Sequence, residues 1–202
     1  LSIVMGMPTY QEDLIFNSVE VIHNGMSNAI YHKQLLAQTD VFNEYRYFSN
    51  GSKSMTFNLN GHTFGVLICE DIWSDLNNHE VDPVSEMKNL DIQTLLIPMA
   101  SPFEKNKSDI RLSLIKNIAT KLNTNVLTVN QVGAQDDLIY DGNSLVINNH
   151  GDLFEQAAAF KEELLSIDIS KLVPTKNYNS QVQNETIFQA IKLGISDYFE
   201  KN

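Results

Sequence analysis

Apolar and polar positions along the chain change period several times, and the changes mark out elements. Residues 1–6 are an apolar run that reads as a short strand stopped by Pro8. The runs 18–23 and 26–31 flank Asn24-Gly25, a strong two-residue hairpin signal, and 57–59 and 63–69 flank Asn60-Gly61 in the same way. Residues 82–89 read as a short helix and 92–99 as a buried strand. Between 107 and 122 apolar residues fall at Ile110, Leu114, Ile118 and Leu122, a helical spacing. Residues 125–130 return to a buried strand pattern, and 143–148, 157–160 and 164–168 read as later strands, with a turn at Asn149-His150-Gly151. The stretch 170–183 is polar and irregular, a linker by composition. Asn184 then caps a last helix with Ile187, Ile191, Ile195 and Tyr198 on one face. The uninterrupted apolar runs at 66–68, 95–97 and 126–129 predict a sheet covered on both faces, and the order of elements predicts an α/β fold.

Composition narrows the function classes. At 202 residues the chain is long enough for one sizeable core, and a formal charge of -11 disfavours nucleic acid and anionic membrane surfaces as partners. No apolar run approaches the roughly 20 residues of a membrane span, and LSIVMGMP lacks the basic flank of a signal peptide. A single cysteine permits no internal disulfide and points to a reducing, cytoplasmic compartment. The absence of an initial Met suggests that the true start lies upstream. The five histidines are scattered, without metal-ligand spacing.

That one cysteine is also the first candidate for chemistry. Cys69 follows an apolar strand and precedes Glu70-Asp71, so polar residues gather where a strand ends, the edge where α/β proteins place their sites. A lone cysteine is more often a buried small hydrophobe, and a thiolate beside two acids needs a nearby cation. Lys33, just after the strand that ends at Tyr31, is the best cation, although a lysine there is ordinarily a solvated strand end. Glu44, between Phe42 and Tyr45, must pair with a cation or hold a raised pKa, and Lys33 or Arg46 is the expected partner.

The words around these residues carry a resemblance. YHKQLLAQTDVFNEYRYFSNG, VLICEDIWSD, ASPFEKNKSDIR and NQVGAQDDLIYDGNSLVINNHGDLF are similar, in order, to the nitrilase (carbon–nitrogen hydrolase) superfamily. The NQVG-x-QD…DG-x-S and ASPF segments look more closely like the glutaminase domain of glutamine-dependent NAD synthetases, and AIKLGISDYFEKN resembles the opening of their synthetase domain. The resemblance implies an α-β-β-α sandwich, incomplete at the N-terminus. Its domains would be a partial glutaminase over 1–169, a linker over 170–183 and the first helix of a synthetase domain over 184–202. It implies Cys69 as nucleophile, Lys33 as oxyanion-stabilising cation and Glu44 as the acid that holds Lys33. Glu70, Trp73, Ser101 and Lys107 would line a glutamine pocket. The implied reaction is hydrolysis of the glutamine amide through a cysteine thioester. The ammonia would pass to a synthetase domain that makes NAD from nicotinic acid adenine dinucleotide. ATP and Mg are expected only in that domain, since no Ser-Gly-Gly loop occurs in this sequence, and a homo-oligomer is expected.

Several positions depart from the pattern. The resemblance calls for a general-base glutamate upstream of residues 1–6, and neither Glu12 nor Glu20 sits in its motif, so the chain is expected to begin downstream of it. Ala37-Gln38-Thr39 replaces a usual Pro-Asn-Tyr, which puts one pocket contact in doubt, and Asn43, Glu104 and Asn106 replace other loop residues. A stand-alone amidase of the same superfamily and a catalytically dead assembly domain are the rival expectations.

Overall fold

The computed structural model describes residues 1–39, 41–74, 79–172 and 183–201, in two compact units, 1–98 and 99–202. In the first unit β1 (Ser2–Gln11), β2 (Leu14–His23) and β3 (Met26–His32) form an antiparallel sheet in that order. The expected stop at Pro8 does not occur. Pro8 lies opposite Asn17 within β1, which pairs only with β2 among the described residues, and an edge strand tolerates a missing N–H. Asn24-Gly25 turns the β2–β3 hairpin as expected, with φ of 51° and 78°. Glu12-Asp13 makes a similar left-handed turn between β1 and β2, at φ 51° and 63°, without the glycine that would have announced it. Val19, Val21 and Tyr31 are buried on one face of this sheet.

After the two-residue strands β4 (Gln38–Thr39) and β5 (Phe42–Asn43), β6 (Thr56–Leu59) and β7 (His62–Val66) pair across Asn60-Gly61. The run expected to stay extended to residue 69 leaves the strand at Val66. The short helix α1 (Pro83–Met87) starts where Asp82 accepts a hydrogen bond from the Ser85 N–H at 3.1 Å. It leads into β8 (Thr94–Met99), which runs parallel to β7. Val66, Leu67, Leu95 and Ile97 are all buried, as uninterrupted apolar strands require.

In the second unit α2 (Lys107–Leu122) and β9 (Asn125–Asn130) have their expected bounds. The buried stripe of α2 is rotated from the expected one. Arg111, Leu112, Ile115, Ile118 and Ala119 are buried, while Ile110 is 49% exposed. Three strands of this unit were not foreseen, one at 153–156 and two, β10 (Val132–Gln135) and β11 (Leu138–Asp141), that form a hairpin whose turn again lacks glycine. β9, β12 (Leu145–Ile147) and β13 (Leu153–Gln156) form an antiparallel ladder. The strands expected at 157–160 and 164–168 are absent. Pairing ends at Gln156, Phe160 turns to φ 57°, only a single Gly142–Ala159 bridge remains, and Leu164 is 96% exposed with no sheet to enter.

Most of the expected linker, 173–182, lies outside the described residues. α3 (Gln183–Lys201) contains Asn184 within its described span instead of following it as a cap. α3 is held to β10 by Asp197, which accepts the Ala134 N–H at 2.7 Å, and by Lys201 Nζ, which donates to the Ala134 carbonyl at 2.6 Å. Ala190 is buried, whereas Ile191, Ile195 and Tyr198 of the expected apolar face are more than half exposed. Among the described residues no helix is long and apolar enough to cross a membrane.

One polar cluster ties the second unit together. Arg111 Nη2 donates to both carboxylate oxygens of Asp141 at 3.1 and 2.8 Å, with both side chains 2% exposed. Asn130 Nδ2 and Asn143 Nδ2 donate to the same carboxylate at 3.2 and 2.8 Å. Removing one partner of such a pair strands a buried charge, at a cost of about 3–5 kcal/mol. Arg111→Met is therefore expected to lower the unfolding free energy by that order in urea titrations. A loss under about 1 kcal/mol would show that the neighbouring amides carry Asp141 without the arginine.

Candidate active site

Beyond β7 the chain straightens through Ile68 and then turns sharply. Cys69 takes φ 40°, a left-handed conformation that costs a residue with a Cβ about 1–3 kcal/mol. The tight turn Cys69–Ile72 holds it there, with the Asp71 N–H on the Ile68 carbonyl at 3.0 Å and the Trp73 N–H on the Glu70 carbonyl at 2.9 Å. The thiol is half-buried.

The side chain of Asp71 anchors this turn from beneath. It is fully buried and accepts the Ile68 N–H at 2.8 Å and the Tyr31 hydroxyl at 2.9 Å on one oxygen. Its other oxygen accepts the Gln34 and Leu35 N–H groups at 3.1 and 2.8 Å. One carboxylate thus binds the residue before Cys69 and the two residues after Lys33. Burial pushes the Asp71 pKa up to about 6, against the opposing pull of the backbone donors, Tyr31 and Lys33. The same environment raises the Tyr31 phenol well above its ordinary value, chiefly through burial and then through the Asp71 charge.

Lys33 follows β3 and is buried, 3% exposed, so the solvated alternative is overturned. Its ammonium donates to Glu44 Oε2 at 2.5 Å. Its N–H donates to the Asn17 carbonyl at 2.8 Å, and its own carbonyl accepts the Gly51 N–H at 2.7 Å. A Cβ on Gly51 would come within 2.1 Å of the His32 carbonyl oxygen, so only glycine fits against this strand end. Glu44 opens a short turn, Glu44–Arg46, and also accepts the Ala37 N–H and Asn17 Nδ2, each at 2.6 Å. Of its two expected cations Lys33 is the partner, while Arg46 lies 5.7 Å from the Tyr47 ring centroid. Asn17 was missed. Its signal was a polar residue on the strand face that carries Val19 and Val21.

The pocket candidates divide between the units. Glu70 and Trp73 belong to the Cys69 turn; Glu70 Oε1 lies 3.2 Å from His79 Nε2, and Trp73 is half-buried. Ser101 and Lys107 lie in the second unit. Ser101 is buried, with its N–H on Asn130 Oδ1 at 2.9 Å and its carbonyl accepting from Asn130 Nδ2 at 3.3 Å. Lys107 is the first residue of α2, and its ammonium pairs with Glu104. The Asn and Asp of the NQVG…DG-x-S segment therefore act as scaffold, fixing the loop that carries Ser101. No side-chain description extends to Thr39. Among the described residues no group of three His, Cys, Asp or Glu side chains could hold a metal ion.

Comparison with known proteins gives the family and the fold. The family model described as carbon-nitrogen hydrolase matches residues 1–176. A glutamine-dependent NAD(+) synthetase of Acinetobacter baylyi is 37% identical over 194 residues, covering 93% of this chain and 34% of that protein. One from Synechocystis is 36% identical, covering 93% and 35%. The chain thus spans about a third of the length of these curated relatives. Among solved structures, a glutamine-dependent NAD+ synthetase from Acinetobacter baumannii, in complex with adenosine diphosphate, superposes with a TM-score of 0.90 at 35% identity, covering 99% of this chain and 38% of that one. A nitrilase-superfamily amidase of Nesterenkonia, at 20% identity and a TM-score of 0.65 over 78% of this chain and 57% of that one, shares the fold.

The raised pKa of Asp71 has a pH consequence of definite sign. Between its ordinary 3.8 and about 6 the folded chain holds a proton that the unfolded chain has released. This contribution to stability is complete below the unfolded value and is lost as pH rises through the folded one. Asp71→Asn removes the titration and sets an amide N–H₂ against backbone N–H donors in either orientation, Ile68 on one side or Gln34 and Leu35 on the other. The stability gap between the natural chain and Asp71→Asn is expected to be widest near pH 4 and to narrow by up to roughly 3 kcal/mol past pH 6 in urea unfolding. A gap that widens with pH would mean that the hydrogen bonds to the carboxylate outweigh its desolvation.

Proposed function

The chain belongs to the carbon–nitrogen hydrolase family, and on that premise we propose that it performs the glutaminase step of a glutamine-dependent NAD synthetase. One observation carries the reading: a buried Lys33–Glu44 ion pair and the strained Cys69 turn are tied to each other through the single carboxylate of Asp71. A conformationally costly cysteine and an immobilised ammonium, each flanked by backbone held on the same buried carboxylate, are the equipment of covalent amide cleavage.

The Cys69 sulfur, as thiolate, adds to the side-chain amide carbon of glutamine. The Lys33 ammonium and the Glu70 N–H stabilise the oxyanion that forms. The carbon–nitrogen bond breaks, ammonia leaves with the proton it gains, and the γ-acyl group remains on sulfur as a thioester. Water then cleaves the thioester, releasing glutamate and restoring the thiol. Glu44 keeps Lys33 in place. Glu70 receives the α-ammonium of the substrate, with Trp73 of the same unit bordering it, and the resemblance gives Ser101 and Lys107 substrate roles as well, Lys107 toward the α-carboxylate. The ammonia would serve a synthetase domain outside these residues, which would hold ATP to supply the activation for forming the amide of NAD.

Cys69→Ser in the full-length protein is expected to abolish glutamine-dependent NAD synthesis and to leave synthesis from free ammonia intact. Lys33→Met is expected to cost at least about 10²–10³ in glutamine hydrolysis, the usual loss for one oxyanion stabiliser. A serine variant that still uses glutamine, or a methionine variant with near-normal turnover, would sink the assignment.

Proton transfer sets a further expectation. The thiol must lose a proton, ammonia must gain one and water must be activated, work worth about 10²–10⁴ in rate for one placed carboxylate. The acids around Cys69 have other tasks: Glu44 holds Lys33, Asp71 holds three backbone N–H groups, and Glu70 faces His79. Residues 1–202 alone are therefore expected to release negligible ammonia from glutamine beside the full-length gene product. Appreciable turnover by the isolated chain would place the base among these residues.

A further inference from the structure

Glu70 carries a long carboxylate arm immediately after the nucleophile, and such an arm loses about 1.5–2 kcal/mol of rotamer freedom when fixed. Something must hold it if it is to meet a substrate ammonium in one geometry. In the structure a carboxylate oxygen, Oε1, lies 3.2 Å from His79 Nε2, with 14% of the Glu70 side chain and 26% of the His79 side chain exposed. His79 is itself anchored. Its N–H donates to the Ser74 carbonyl at 3.2 Å, Ser74 Oγ donates to Asp82 Oδ1 at 3.1 Å, and Asp82 caps α1. The imidazole is thus presented to Glu70 by backbone fixed to the far end of the Cys69 turn and to a helix start.

The residue type matters. An imidazole Nε2–H donates to a single carboxylate oxygen and does not itself occupy the other. A lysine or arginine in its place would form a full ion pair and compete with an incoming ammonium. A site that must select an α-amino acid amide over a plain amide needs an oriented, still-charged acid.

We propose that His79 is a positioning residue for substrate selection, holding Glu70 in the orientation that receives the α-ammonium of glutamine. The inference rests on the assignment of Glu70 made above. It is tested in the full-length protein with glutamine and with glutaramate, which has the same side-chain amide and carboxylate but no α-amino group. Glutaramate is measured by its kcat/KM, or by its inhibition constant against glutamine if turnover is too slow. His79→Ala is expected to raise the KM for glutamine about tenfold, the scale of one hydrogen bond to a charged group. It should change kcat less than twofold and leave glutaramate unaffected. His79→Gln, which retains an N–H donor, should recover most of the loss.

An unchanged KM for glutamine in His79→Ala, or an equal loss for both compounds, overturns the inference. Glu70→Gln separates the two levels. If it leaves the preference for glutamine over glutaramate intact, the assignment of Glu70 fails. If it abolishes that preference while His79→Ala does not alter it, only the role of His79 fails.

Discussion

The carboxylate of Asp71 accepts hydrogen bonds from the backbone N–H groups of Gln34, Leu35 and Ile68 and from the Tyr31 hydroxyl, all in the dark of the first unit's core. A buried charge survives only when its lone pairs are occupied, so the acid and its four donors constrain one another. The donors come from two stretches more than thirty residues apart in sequence, 31–35 and 68. Through that shared acceptor the residue before the thiol and the residues after the ammonium are held to a common point. Neither the Cys69 turn nor the Lys33 strand end could shift without leaving a donor unpaired, a penalty of about 1–3 kcal/mol for each buried group.

The electrostatics of Lys33 follow the same rule. An ammonium that is 3% exposed must be paired, and Glu44 supplies the counter-charge while taking two further donors from Asn17 and Ala37. The pair is locally neutral, which removes most of the cost of burying it. It still presents a fixed N⁺–H dipole in a desolvated place, where interaction with a new negative charge is stronger than in water. A surface lysine could not do this, because solvent would screen it and its side chain would wander.

The second unit solves a similar problem with different groups. Asp141 is the buried acid, Arg111 its counter-charge, and Asn130 the residue that relays order to the Ser101 backbone in both directions. These polar residues stand in the most specific-looking words of the sequence, yet their contacts are with protein. In both units the acids deepest in the fold serve as acceptors for backbone and amide groups.

The order of the chain by itself determined the α/β class, the two Asn-Gly hairpins, the limits of α2 and β9, and the candidacy of Cys69, Lys33 and Glu44. The elements rest on local physics, apolar period and left-handed turn residues, while the three candidates rest on a family resemblance carried by several segments in order. The turns at Glu12-Asp13 and Asp136-Asp137 escaped because residues other than glycine adopted the left-handed conformation there. The strand expected at 157–160 failed because Phe160 turns to φ 57°, although Ala157 and Phe160 still donate to the Ser144 and Asp141 carbonyls, and the one expected at 164–168 leaves Leu164 96% exposed. The choice of Lys33 over Arg46 for Glu44, the parts played by Asn17, Asp71 and Arg111, and the turned face of α2 were decided by tertiary structure alone. Each depends on which groups long-range folding removes from water together, and a buried charge or amide accepts whatever partner the fold brings within hydrogen-bond reach.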